Sequence, residues 1–311
     1  MLIDADTTEG QVKALPRTIL PKSPPLKMQG IKTKIVPLLA RSIVWNNKGR
    51  WVEPFLGTGV VALNLAPNQA LLADTNEHVI NFYRRVRDGD ITGCQVREHL
   101  EREGETLRHK GESHYYAVRE RFNAVGEPLD FLFLNRSCFN GMMRFNREGK
   151  FNVPFCRKPE RFRPALITKI VNQVEWASAV MQGKDWEFVV QDWSKTLAAV
   201  QADDMLYCDP PYIGRHTDYY NGFTTAEANE LAFALRSLNA SFALSMWLEN
   251  QYRRNDYVDR WFSNYPKRTL SHFYHLGATE KLRHEMTEVV VFSPAVIASD
   301  LAPLLEAMKS G

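Results

Sequence analysis

Glu53-Pro54-Phe55-Leu56-Gly57-Thr58-Gly59 joins an apolar run, Arg50 to Phe55, to a helical pattern running from Val60 to Leu65. Strand, glycine turn and helix together form the opening of a nucleotide-binding unit, because glycines let the backbone approach a ligand closely before the helix begins. Outward from this turn, Ala70 to Ala73 reads as a second short strand ending at Asp74, fifteen residues beyond Gly59. In dinucleotide-binding folds an acid at about that distance takes the ribose hydroxyls. The third glycine of the dinucleotide fingerprint is missing, so the turn alone is a weak motif. Farther along, Phe188 to Val190, Met205 to Cys208, Phe242 to Ser245 and Glu288 to Phe292 read as strands, with helical stretches such as Thr225 to Ser237 between them. This alternation predicts an α/β, doubly wound, mostly parallel sheet with its site at the carboxyl edge.

The 311 residues, 44% of them hydrophobic, suffice for one large or two modest domains. Residues 1–22 lack periodicity and run into Pro21-Lys22-Ser23-Pro24-Pro25, which predicts a flexible tail with order beginning near Lys27. The longest apolar stretches, such as Phe131 to Leu134 and Val289 to Phe292, are strand-sized, so no membrane span is expected, and no secretory leader is visible. Cys94, Cys138, Cys156 and Cys208 show no C-x-x-C spacing, which supports neither a zinc knuckle nor a disulfide framework. A reducing cytoplasm is the expected compartment. His272 and His275 have no third ligand nearby, so a half-exposed strand is expected there and no metal.

The net charge of +3 is modest, but its distribution is uneven. Residues 82–125 are charged and helical in pattern, as surface helices are. Between Arg136 and Arg163 eight basic residues face two acidic ones. A basic cluster by itself usually marks a solvated face. Here Phe139, Phe145, Phe151, Phe155 and Phe162 alternate with the cations, and Asn140, Asn146 and Asn152 add amides. Cations, rings and amides together suit phosphates, base stacks and base edges. Asn146-Arg147-Glu148-Gly149-Lys150 separates two aromatic stretches and predicts a hairpin turning at Gly149.

Asp209-Pro210-Pro211-Tyr212 follows the strand Met205 to Cys208. By chance such a tetrapeptide occurs in a chain of this size on the order of one time in a thousand, which disfavours a mere proline-stiffened loop. An exocyclic amino group on adenine or cytosine is a poor nucleophile, because its lone pair is conjugated into the ring. Asp209 can accept one amino hydrogen and the Pro210 carbonyl the other, turning the lone pair toward an electrophilic methyl. Proline offers a rigid backbone with an acceptor and no donor. Tyr212 can stack on the base. The target nitrogen is inaccessible inside a duplex, so the base must be flipped out at a cost of a few kcal/mol, which accounts for a separate gripping segment.

The order of glycine turn, basic segment and Asp-Pro-Pro-Tyr resembles the Dam-type, alpha-group DNA adenine-N6 methyltransferases, over residues 24–292. The similarity is strongest to the EcoRV-type members, at Gln29 to Lys34, Glu53 to Val60, Leu129 to Asn146, Phe151 to Cys156 and Tyr207 to His216. The resemblance implies a seven-stranded methyltransferase sheet with an inserted, mainly helical target-recognition domain carrying the hairpin. It divides the chain into a catalytic domain (23–82 and 186–311) and a recognition domain (83–185). The implied cofactor is S-adenosyl-L-methionine, contacted by Met28, Lys32, Glu53, Pro54, Phe55, Gly57, Gly59 and Asp74, by Asp192 and Trp193 at its adenine, and by Asp209 at its methionine end. The implied catalytic set is Asp209, Pro210, Pro211 and Tyr212.

On double-stranded DNA the resemblance puts Phe139 into the base stack with Asn140 beside it, and makes Met142, Arg144 and Pro154 base readers. Lys27 reads an outer guanine, Arg136 and Asn146 join the contacts, and Arg157, Lys158 and Arg161 hold phosphates. Many members carry Trp-x-Gly-Gly-Lys where this chain has Met28-Gln29-Gly30-Ile31-Lys32. That departure is shared with the EcoRV-type members and favours GATATC over GATC. A monomeric, cytoplasmic, prokaryotic or phage-encoded enzyme is expected, without metal. Cytosine-N4 or RNA methylation uses the same acceptor geometry, and a non-catalytic DNA-binding protein would show an eroded turn or tetrapeptide. Ile213 to Phe223 is either a lid over the flipped base or a surface loop.

Overall fold

A computed structural model describes residues 19–212, 223–250, 252–273 and 285–296 of the chain. Residues 1–18 of the expected tail, 213–222 of the lid-or-loop segment, and His275 lie outside the described residues. The strands are β1 (Trp51–Glu53), β2 (Gln69–Asp74), β3 (Asp185–Val190), β4 (Met205–Cys208), β5 (Ser241–Asn250), β6 (Lys267–Phe273) and β7 (Glu285–Phe292). They form one seven-stranded sheet in the order β3-β2-β1-β4-β5-β7-β6. The first five are parallel, and β7 runs antiparallel to both of its neighbours.

Strand side chains alternate between two cores. Trp51, Leu72, Met205 and Tyr207 point into one, and Val52, Leu71, Leu206 and Cys208 into the other. The helices are α1 (Val36–Ser42), α2 (Val60–Leu65), α3 (Glu77–Arg87), α4 (Gly93–Lys110), α5 (Glu112–Val125), α6 (Pro128–Ser137), α7 (Pro164–Met181), α8 (Trp193–Ala198), α9 (Thr225–Ser237) and α10 (Asp256–Phe262). The first core continues without a break from the sheet into α3 to α7, through Phe82, Leu100, Phe122, Phe131 and Val174.

Of the two strand-sized apolar runs, Val289 to Phe292 lies in β7, but Phe131 to Leu134 is the middle of α6. Pro128 pre-sets the first turn of that helix, and every residue from Asp130 to Ser137 is buried. An apolar run enclosed on all sides has no periodicity by which helix and strand can be told apart. The charged β6, with Lys267 and Arg268, is an edge strand paired with β7, and its sequence gives no apolar run to betray it. It contains His272. The chain is anchored earlier than Lys27: the Lys22 backbone exchanges hydrogen bonds of 2.7 and 2.9 Å with the Asn64 side chain, and Leu26 is buried.

Candidate active site

The strand order reverses between β2-β1 and β4, and ligands of open α/β sheets bind at such a point, beyond the carboxyl ends of the strands. The glycine turn leaves β1 there and Asp209 leaves β4, and they share a cleft of about 810 Å3. Gly57 and Gly59 both have positive φ, at 53° and 66°, as the tight turn requires. Gly57 lines the cleft; Gly59 lies behind it as the N-cap of α2, packed against Leu56 and Tyr83.

Asp74 closes this half. Its two carboxylate oxygens accept from the backbone N–H groups of Gly57 at 2.8 Å and Asn76 at 2.9 Å, which fixes the carboxylate against the turn. Burial raises its pKa against the pull of those amides. Glu53, 1% exposed, accepts from the Trp51 indole at 2.7 Å, and burial pushes its carboxyl up to about 8. Met28, Pro54, Phe55, Asp192 and Trp193 also line the cleft. Asp192 also caps α8 by accepting from the Ser194 N–H.

Around Asp209 the polar contacts form a chain. The buried Ser245 of β5 donates to Asp209 Oδ1 at 2.8 Å and is itself 3.0 Å from the Tyr207 hydroxyl. Lys32 Nζ reaches the same Oδ1 at 3.1 Å, donates to the Gly30 carbonyl at 2.8 Å, and sits 4.8 Å above the Tyr212 ring. Tyr212 donates its hydroxyl to Glu288 of β7 at 2.6 Å. Burial opposes the charge on Lys32, but Asp209, Tyr212 and Glu288 outweigh it and hold its pKa well above the ordinary value. Burial lifts Asp209, against the attraction of Lys32. Pro210, Pro211 and Tyr212 line the cleft.

Tyr207, Ser245 and Glu288 are absent from the expected site. Glu288 left a signal, a charge opening the otherwise apolar run Val289 to Phe292. Ser245 and Tyr207 left none.

The basic segment meets the same cleft. Asn146 N–H bonds the Lys150 carbonyl at 2.8 Å and Gly149 has φ 73°, so the hairpin turns where expected. Met142, Arg144 and Asn146 line the cleft, and Phe145 stacks on His78, with ring centres 5.1 Å apart. Arg144 donates to Asn152 Oδ1 at 2.9 Å, which orients its guanidinium. Phe139 is 50% exposed; Asn140, Pro154, Arg157 and Lys158 are also exposed. Lys27, partly buried beside Gly141, has its pKa lowered to about 8 by burial and then by Arg136 and Arg161.

Two expected DNA contacts are differently employed. Arg136, 8% exposed, binds the Pro25 carbonyl and Gln173, where it ties the amino-terminal segment to α6 and α7. The Asn146 side-chain oxygen Oδ1 accepts from the Glu148 and Lys150 N–H groups and so holds the hairpin turn. Away from the cleft, His99, Glu103 and Asp130 come close enough to share a cation among the described residues, but the Arg121 guanidinium already fills that position, at 2.6 Å from Asp130 and 3.2 Å from Glu103.

A sheet of this order, with a nucleotide-type turn after β1 and Asp-Pro-Pro-Tyr after β4, defines an amino-group methyltransferase. Comparison with known proteins narrows the class: the family described as D12 class N6 adenine-specific DNA methyltransferase matches residues 29–280, and the chain belongs to it. It is 31% identical over 214 residues to the DNA adenine methylase of Serratia marcescens, covering 64% of this chain and 73% of that protein. It is 32% identical over 235 residues to the DNA adenine methylase of Haemophilus influenzae, covering 73% and 76%. With the type II methyltransferase M.FokI of Planomicrobium okeanokoites it shares 29% identity over 283 residues, 86% of this chain but 42% of that protein.

Proposed function

We propose that the protein transfers the methyl group of S-adenosyl-L-methionine to N6 of an adenine flipped out of double-stranded DNA. The observation that carries this reading is the asymmetry at Asp209. Ser245 and Lys32 occupy Oδ1, and among the described residues none donates to Oδ2.

The cofactor fits the donor set. Asp74, Asp192 and Asp209 give the cleft carboxylates and Glu53 a protonated acid, suited to a ligand with a sulfonium, an ammonium and a ribose diol, and about 810 Å3 admits a nucleotide-sized ligand. Asp74 would take the ribose, Asp192 and Trp193 the adenine ring, and Asp209 the methionine end, with Lys32, Phe55 and Gly57 also in contact. When bound, the cofactor supplies an electrophilic methyl on positively charged sulfur. Asp209 Oδ2 accepts one hydrogen of the target amine and the Pro210 carbonyl the other. Tyr212 stacks on the base, and Asp209 takes the proton that the amine sheds on methylation.

In this reading residues 23–82 and 186–311 form the catalytic part and 83–185 the target-recognition part. Lys27, Phe139, Asn140, Met142, Arg144 and Pro154 approach the bases, and Arg157 and Lys158 the phosphates. The EcoRV-type features at Met28 to Lys32 favour GATATC, with GATC next. The enzyme acts as a monomer, in the cytoplasm. The test is expression in a host without its own DNA methylation, followed by sequencing that detects N6-methyladenine at single bases. Modification confined to one GAT-containing motif is expected. Unmodified adenine in the presence of folded protein would reject the reading.

A further inference from the structure

Glu288 is a carboxylate at the inner edge of an apolar strand, 5% exposed. Such a group is retained only where its partners compensate its burial. Both of its partners belong to the site: the Tyr212 hydroxyl at 2.6 Å and Lys32 Nζ at 3.7 Å from the same Oε1. Lys32 is therefore shared by two carboxylates, Glu288 on β7 and Asp209 after β4, while its proton donors are also engaged by the Gly30 carbonyl. The Tyr212 ring is held at both ends, by its backbone in the Asp-Pro-Pro-Tyr loop and by its phenol on the sheet.

We propose that Glu288 is a positioning residue for methyl transfer: it locks the Tyr212 ring in the plane on which the target base stacks, and it draws Lys32 to the Oδ1 side of Asp209, so that Oδ2 stays open to the target amine. This rests on the amino-methyltransferase reading given above. Without Glu288, Lys32 has Asp209 as its one ion-pair partner among the described residues, and its ammonium competes with the target amine for that group. Among the described residues, the other titratable groups around Asp209 are Tyr207, Cys208, Tyr212 and the buried Glu53.

The experiment is a double-mutant cycle of Glu288→Gln and Tyr212→Phe in the full chain, with turnover measured on a duplex carrying the motif found by genomic sequencing. Each single change should lower kcat about tenfold with KM for DNA and cofactor within about threefold, and the double variant should be no slower than the slower single, as coupled residues behave. Removing the Glu288 charge also relieves repulsion on Asp209, so the acidic limb of kcat should move to lower pH in Glu288→Gln. Multiplying effects, an unmoved acidic limb, or wild-type kcat in either single variant would overturn the proposal. Should Glu288→Gln fail to fold, Tyr212→Phe, which loses one hydroxyl, still decides it. Wild-type protein without activity would instead remove the methyltransferase reading on which the proposal rests.

Discussion

Burial lifts the carboxyls of Glu53, Asp74 and Asp209 together, because the cleft withdraws all three from water. For Glu53 the ordinary value of 4.5 rises to about 8, so across that interval the native protein holds a proton that the unfolded chain has released. Its contribution to stability is full below about pH 4.5 and is lost as the pH rises through about 8. Glu53→Gln should remove this dependence, and the Tm of the variant relative to wild type should increase from pH 5 to pH 9; parallel curves would refute the buried acid. Asp209→Asn, which keeps the shape and loses the charge, should cut turnover by about 10²–10⁴ while DNA binding and the folded circular-dichroism spectrum persist. Normal turnover would exclude the acceptor role. Asp209, Tyr212, Gly57 and Asp74 were legible in the sequence because each sits in a short motif at a strand end. Ser245 reaches Asp209, and Glu288 reaches Lys32 and Tyr212, from strands distant in the chain; the charge of Glu288 stands out in its apolar run, but such long-range contacts leave no local pattern. Arg136 shows the opposite failure: a cation inside a basic run looks exposed, and its burial between α6 and α7 follows from tertiary packing.

At the scale of the element, contiguous patterns read well. The glycine turn into α2, the helical stretch of α9 and the four apolar residues of β4 all lie where the sequence suggests. The helix α6 reads poorly, since burial on every side erases its period. That burial encloses Asp130, 2% exposed, whose charge is sustained by the Arg121 guanidinium of α5 at 2.6 and 2.7 Å. Burial acts against that charge, but Arg121 and His99 outweigh it and hold the carboxyl below its ordinary value. Arg121→Ala leaves the carboxylate with His99 as its remaining partner among the described residues and should cost about 3 kcal/mol, the lower end of the range for a broken buried pair, because the guanidinium itself is half exposed. Urea unfolding checks this; a loss under about 1 kcal/mol would mean that His99 and water compensate.

For the molecule as a whole, the alternation of strands and helices foretold a mostly parallel sheet, and the strand order puts both motifs on either side of one reversal point. The antiparallel end, where β7 inserts between β5 and β6, was not readable from periodicity, since strand direction is set by long-range pairing. The shared core has a further implication. Phe82, Phe122, Phe131 and Val174 belong to the same buried cluster as Trp51 and Tyr207 of the sheet. A fragment spanning residues 83–185 should therefore show no cooperative thermal transition by itself, as calorimetry can test; a sharp transition would mean an autonomous unit. With the proposed recognition part built into that core, it is no exchangeable cassette. Under the function proposed above, a new target sequence would have to be reached side chain by side chain along the hairpin and its flanks, with the interior kept intact at each step, so the repertoire open to this scaffold would grow by gradual drift rather than by recombination.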